Sequence, residues 1–302
     1  MLKQSLLNGF RLTVSEQNLG VYGVHVYQEG EGCVEHRFRN DDPVNIYSAS
    51  KTFTAVGIGI CLDDGKLKLE DFIADYFPEY HNVMAEGSER ITIRDLLHMS
   101  SGKRIFWPSI EQLLALDAAE VFFREPMTDQ PGEHFFYSNL STYMLGRIVE
   151  KVSGRTLRDT LEERLFTPME ILFPQWHACP KGHTLAATEL YLRTSELARL
   201  GELLLHGGIY HGQRLVSDEF VSAMHTDWVS TAHHSEDSQS INGYGYQVWR
   251  CADQESYRAD GMYGQFTIVI PACRSVVTAT SHNEGKALNI IRAIFSDIVP
   301  LL

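Results

Sequence analysis

Apolar and polar positions alternate differently along this chain, and the changes in period mark its elements. Val21 to Tyr27 is β-branched and aromatic and runs into Glu29-Gly30-Glu31-Gly32, which predicts a strand entering a hairpin. Thr52 to Leu62 is apolar on nearly every side and stops at Asp63-Asp64-Gly65. More than ten such residues predict a buried helix rather than a strand. Gly57 and Gly59 inside it each cost about 1 kcal/mol of helix stability relative to alanine, a loss that close packing on a neighbour would offset. Thr92 to Leu97 opens with Thr92 and carries Asp95 three residues on, close to a capping box. Ser141 to Val152 and Thr194 to Leu205 have helical apolar spacing. After residue 240 the period shortens. Tyr244 to Trp249, Phe266 to Ile270 and Ser275 to Thr280 read as strands, and Ala287 to Ile298 closes the chain as an amphipathic helix. Strands at both ends with helices between them predict an α/β layer split in sequence around a helical region.

Composition narrows the function classes. The 302 residues are 44% hydrophobic and 22% charged, ordinary for a globular protein, with a formal net charge of −13. Such an acidic chain repels phosphate backbones, so no nucleic acid partner is expected. The five cysteines (Cys33, Cys61, Cys179, Cys251 and Cys273) have no C-x-x-C spacing, which argues against a zinc knuckle, a redox dithiol or a disulfide scaffold. Leu6-Leu7 is cut by Asn8-Gly9, too short for a signal-peptide core, and no run of eighteen apolar residues occurs. A cytoplasmic protein without a membrane partner is expected.

Two S-x-x-K patterns are present, Ser48-Ala49-Ser50-Lys51 and Ser100-Ser101-Gly102-Lys103. The second straddles an apparent helix end. The first opens the apolar helix, where residues three apart share a face and Lys51 reaches the Ser48 hydroxyl. The helix N-terminus adds unpaired N–H groups that favour a developing oxyanion. Burial would lower the lysine pKa and activate the hydroxyl. Two Y-x-N tripeptides also occur, Tyr80-His81-Asn82 and Tyr137-Ser138-Asn139.

Gln130-Pro131-Gly132-Glu133 followed by Phe135-Phe136-Tyr137-Ser138-Asn139, together with Ser48-x-x-Lys51, resembles the serine β-lactamases and penicillin-recognising enzymes, in particular their class C-like esterases and amide hydrolases. The stretches 63–71, 91–102 and 143–150 are similar to that family too. The resemblance implies a β-lactamase/transpeptidase-like α/β (α+β) fold: an antiparallel sheet flanked by helices, made from 1–45 and 190–302, with an inserted, mainly helical region 46–189. It implies Ser48 as nucleophile, Lys51 and Tyr137 (as phenolate) as bases, and Asn139 hydrogen-bonding substrate and lysine. Ser100 and Tyr80 then fall away as candidates.

The family's third element, K-T-G or H-x-G, corresponds to Ala259-Asp260-Gly261, followed by Met262-Tyr263-Gly264-Gln265. Gly261 is kept, and the resemblance makes the Ser48 and Met262 N–H groups the oxyanion hole. The cation that binds a substrate carboxylate is missing, and Arg258 lies one position early. Ester or amide hydrolysis of a small molecule is therefore expected, of the esterase and 6-aminohexanoate-dimer hydrolase kind, with weak or no β-lactamase activity. The alternative is a sensor that acylates with little turnover. Gly261, Tyr263, Trp107 and Trp249 are candidate pocket residues. No cofactor or metal is expected, and His233-His234 reads as a solvated loop. His98 and His134 read as structural hydrogen-bonders. The segments Lys103 to Phe123 and His225 to Asn242 are expected to be loops that shape the pocket. Oligomeric state is left open.

Overall fold

The computed structural model describes residues 1–302. β1 (Val21–Gln28) turns through Gly30, at φ 80°, into β2 (Gly32–Arg37), as the β-branched run and the glycines dictate. The C-terminal strands are β3 (Trp249–Arg250), β4 (Tyr257–Gly261), β5 (Gln265–Ile270) and β6 (Ser275–Ser281). They form one antiparallel sheet in the order β2-β1-β6-β5-β4-β3. Val26 pairs with Val277 and Ile268 with Arg258, so the N-terminal hairpin is welded to the far end of the chain.

Each face of the sheet is covered. On one side lie α1 (Asn8–Gln17) and α5 (Ala287–Asp297), with Phe10, Val14, Ile290 and Ile294 buried in the same cluster as Val24, Ile268 and Val277. On the other, α4 (Thr194–Leu205) lies so close that a Cβ on Gly201 would stand 2.4 Å from Val276. Its leucines continue into a core of 53 buried residues shared with α2 (Ser50–Asp63) and α3 (Asn139–Ser153). The glycines of α2 are explained by their neighbours. Phe220 packs where a Cβ on Gly59 would stand at 2.4 Å, and Leu161 crosses Gly57. The Thr92–Asp95 capping box forms and starts the short helix Ile93–Leu97.

Three expectations need correction. Tyr244 to Trp249 is not a continuous strand. Gln247 sits at φ 59°, and the chain folds back so that Tyr244 bridges Trp249. The buried Gln247 side chain drives this, accepting from Thr142 Oγ1 at 2.7 Å and donating to the Leu97 carbonyl at 2.7 Å. Lys103 to Phe123 is not all loop either. Ser109 and Asp117 cap the helices Ile110–Ala115 and Ala118–Arg124. Finally, Ser48 does not lie in α2 itself but in the 3₁₀ turn Tyr47–Ala49 that feeds it.

Candidate active site

The turn before α2 is fixed from both ends. The Asn45 side chain accepts from the Tyr47 N–H at 2.8 Å, and Ile46 is fully buried. Between these anchors Tyr47 adopts φ 48°, in the left-handed region that a bulky residue rarely enters. The strained turn presents Ser48, partly exposed, at the mouth of α2. One turn on, Lys51 is 1% exposed. Its Nζ donates to Ser48 Oγ at 2.8 Å and to the Ala187 carbonyl at 3.0 Å. Ala187 is held there because the neighbouring Ala186 carbonyl accepts from Thr54 Oγ1 of α2 at 2.8 Å.

Tyr137 arrives from the segment before α3. Ser138 caps that helix, accepting from Ser141 N–H at 3.1 Å and donating to the Ile105 carbonyl at 2.7 Å. The Tyr137 ring lies 4.9 Å from Lys51 Nζ and stacks on Trp249 at 5.7 Å. Asn139, the first residue of α3, makes no hydrogen bond to Lys51, contrary to the role its resemblance implied. Its Oδ1 is buried without a partner, and the residue lines a cavity of about 620 Å³ with Trp107, Ala187 and Glu189.

The edge of β4 closes the third side. A Cβ on Gly261 would lie 2.2 Å from the Ile46 carbonyl, so only glycine lets this strand press against the Ser48 turn. Met262 follows, and its N–H has no acceptor in the protein. Tyr263, at φ 66°, stacks on His282 at 4.4 Å and meets the Tyr47 ring edge to face at 5.1 Å. Gln265 ties the turn down by donating to the Met262 and Ser281 carbonyls. Neither tyrosine's backbone state has a local sequence signal, and Tyr47 was not anticipated at all.

Burial sets the protonation states. It pushes Lys51 well below the usual lysine range, against a smaller opposite pull from Asp260. It pushes the Tyr137 phenol up, only partly countered by its hydrogen bond with Ser48. Burial therefore favours the uncharged form of each group, which disfavours a resting phenolate.

Arg258 does not project into the cleft as a substitute cation. It is 0% exposed; its Nε donates to Asp260 Oδ2 at 3.0 Å, its Nη2 lies 3.0 Å from the same oxygen as an ion pair, and Nη2 donates to the Gln239 carbonyl at 2.8 Å. Burial raises the Asp260 pKa and Arg258 pulls it back down.

The remaining candidates lie apart. Lys103 Nζ donates to Ser88 Oγ at 2.7 Å rather than to Ser100, and Tyr80 donates to Asp117 at 3.2 Å. His98 bonds the Asp227 carbonyl, and His134 is exposed. Trp249 is a buried wall behind Tyr137 rather than open pocket surface. His233 and His234 are both exposed, as expected of a solvated loop, and the His234 ring also packs 5.3 Å from Trp249 and 5.2 Å from Phe135. No group of three or more His, Cys, Asp or Glu is placed to hold a metal ion, and no helix is long and apolar enough to cross a membrane.

Comparison with known proteins agrees with this geometry. A lovastatin esterase of Penicillium rubens is 28% identical over 192 residues, covering 56% of this chain and 48% of the esterase. A D-aminopeptidase of Brucella anthropi is 29% identical over 186 residues, covering 54% of this chain and 34% of the peptidase. The chain thus matches less than half the length of these curated relatives. The crystal structure of a penicillin-binding protein homologue from Caulobacter crescentus superposes with a TM-score of 0.75 at 16% identity, over 97% of this chain and 96% of the other, which establishes the shared fold. The beta-lactamase family model matches residues 14–295, nearly the whole length, and the chain belongs to that family.

Proposed function

We propose that the protein is a serine hydrolase that cleaves an ester or amide bond of a small molecule through an acyl-enzyme on Ser48. The observation that carries this reading is the 2.8 Å contact between the buried Lys51 Nζ and the partly exposed Ser48 Oγ. A lysine whose uncharged form is favoured by burial is a better base near neutral pH than a solvated lysine.

Ser48 Oγ attacks the carbonyl carbon as its proton passes to Lys51, with Tyr137 as relay between the two groups. The Ser48 and Met262 N–H groups receive the oxyanion, each donor lowering the barrier by about 3 kcal/mol. Collapse of the tetrahedral intermediate breaks the bond to the leaving alcohol or amine, which takes the proton back from the Lys51–Tyr137 pair. Water then attacks the acyl ester, gives a proton to the same pair, and releases the acid as Ser48 Oγ is reprotonated. Asn139 faces the acyl arm in the cavity. With Arg258 turned inward, no free cation awaits a lactam carboxylate, and β-lactam turnover is weak or absent. The relatives' names, an esterase and a D-aminopeptidase, fit ester and amide chemistry.

A fluorophosphonate probe read by intact mass tests the reading. A single adduct on the wild type, absent in Ser48→Ala, is expected; no adduct, or one surviving that change, would sink it. Release of p-nitrophenol from short-chain esters well past one equivalent is expected of an enzyme, whereas a single burst would point to a sensor.

A further inference from the structure

Where penicillin-recognising relatives carry a cation this chain has Ala259, and the residue after it is a carboxylate. Asp260 sits one residue before Gly261, on the edge of β4 that presses against the Ser48 turn. Its Oδ2 is taken up by Arg258 through two contacts of 3.0 Å. Its Oδ1 makes no hydrogen bond in the protein. The pair is asymmetric in exposure: the Arg258 side chain is 0% exposed and that of Asp260 is 21%. The guanidinium is therefore the hidden end of a dipole, and the carboxylate is the partly exposed end, close enough to act electrostatically on Lys51 and Tyr137.

The positive groups around this mouth are occupied. Lys51 is committed to Ser48 and the Ala187 carbonyl. Arg104 donates to Asp129 at 3.1 Å. His234, though exposed, packs against Trp249, and partial desolvation of its ring lowers its pKa below the usual histidine value. A second carboxylate, Glu189, lines the cavity beside Asn139. The net charge of −13 extends the same polarity to long range and draws cations toward the protein.

We infer that Asp260, held outward by Arg258, is a specificity-determining residue that selects substrates whose leaving group carries a cationic nitrogen. This rests on the acyl-enzyme reading, because it places the acyl arm in the cavity beside Asn139 and the leaving group along β4. An ammonium there meets the free Oδ1 as a charge-assisted contact, and a carboxylate there meets repulsion. The recognised class is small amino-alcohol esters or amides of short diamines, and the anionic class is rejected.

Three butanoate esters that differ only in the alcohol decide the matter: those of choline, of its neutral isostere 3,3-dimethylbutanol, and of 3-hydroxypropanoate. For the wild type we expect kcat/KM for the choline ester to exceed the neutral one by about tenfold and the anionic one by about 100-fold, with both ratios shrinking as salt is raised. Asp260→Asn alone would leave Arg258 buried without its partner, so the informative variant is Arg258→Met with Asp260→Ser, which removes both charges together. The choline preference is expected to fall to within about threefold of unity in that variant, the scatter expected of a lost charge contact. Equal rates for the three esters in the wild type, or a preference that survives the double change, would overturn the inference. A separate arm needs no turnover: choline and 3,3-dimethylbutanol are titrated onto both proteins by saturation-transfer NMR. Tighter choline binding to the wild type only is expected, and equal binding to both proteins overturns the inference. If none of the esters is hydrolysed, the acyl-enzyme reading fails, and the binding arm still decides the role of Asp260.

Discussion

Tyr47 and Tyr263 stand on opposite sides of the candidate oxyanion hole, both with left-handed backbones, and their rings meet edge to face at 5.1 Å. One precedes Ser48 and the other follows Met262, so the two proposed N–H donors are set by a matched pair of strained residues. Such backbone states cost on the order of 1–3 kcal/mol each, and an edge-to-face pair returns about 1 kcal/mol. Replacing either tyrosine by glycine relieves the strain and loses the ring contact. We expect Tyr47→Gly and Tyr263→Gly each to lower kcat about tenfold, and the double variant to lose less than the product. Steady-state rates in a double-mutant cycle measure the coupling, expected near 1 kcal/mol. Strict additivity would separate the two rings.

Gly261→Ala places a methyl 2.2 Å from the Ile46 carbonyl, a backbone atom that cannot swing aside. The strand must then lift off the Ser48 turn. A loss of about 1–3 kcal/mol in denaturant unfolding is expected, with at least a 100-fold fall in kcat because the Met262 donor moves. Normal activity with this alanine would refute the placement of β4.

Lys51 is a site where function costs stability. Its folded-state pKa is depressed by burial, so the unfolded chain binds the extra proton wherever pH is below the ordinary lysine value of about 10.4. The penalty therefore grows as pH falls from there and levels off below the lowered folded value. Lys51→Met should abolish turnover, by about 1,000-fold or more, while raising Tm. The Tm gain should be larger at pH 7 than at pH 10, as thermal scans at the two pH values would read.

The same shift gives the pH profile of the wild type. kcat/KM should rise with pH as Lys51 loses its proton, along a limb well below the ordinary lysine range. Tyr137, pushed up by burial, keeps its proton through pH 10 and adds no falling limb there. A rising limb that disappears in Tyr137→Phe would instead assign the base to a phenolate.

Asn139 Oδ1 is buried with no partner, so the fold gains little from it. Asn139→Ala should leave Tm within about 2 °C, since no existing hydrogen bond is lost. For a substrate with an acyl-side N–H, kcat/KM should fall by about 10–100-fold, the range of one lost contact. Equal losses with substrates lacking that N–H would assign Asn139 a packing role.

What could be read ahead of the structure followed from local chemistry. The apolar run over 52–62, the Thr92–Asp95 cap and the β-branched strands each carry their own signal, and the structure has them within a few residues. The pairing of Ser48 with Lys51 needs only one helical turn of spacing. Other parts depend on contacts between distant segments. The carbonyl that receives Lys51 belongs to Ala187, whose side chain advertises nothing. The left-handed states of Tyr47 and Tyr263 are imposed by packing, because neither residue favours them. Gln247 looked like a strand residue until its buried amide was seen to bridge Thr142 and Leu97. Asp260 was visible as a letter, but the inward turn of Arg258 that leaves the carboxylate as the partly exposed end of the pair was not.

The pairing of Val26 with Val277 also gives the site a place in time. A ribosome delivers Ser48 and Lys51 first, yet their third wall at Met262 belongs to a sheet whose closing partner, Val277, is made long after them. Such distant pairing is slow to form. The half-made chain thus holds its nucleophile without the wall that completes the oxyanion hole, and stays chemically quiet among the esters around it. The first labelling of Ser48 by a probe would mark the moment the sheet closes.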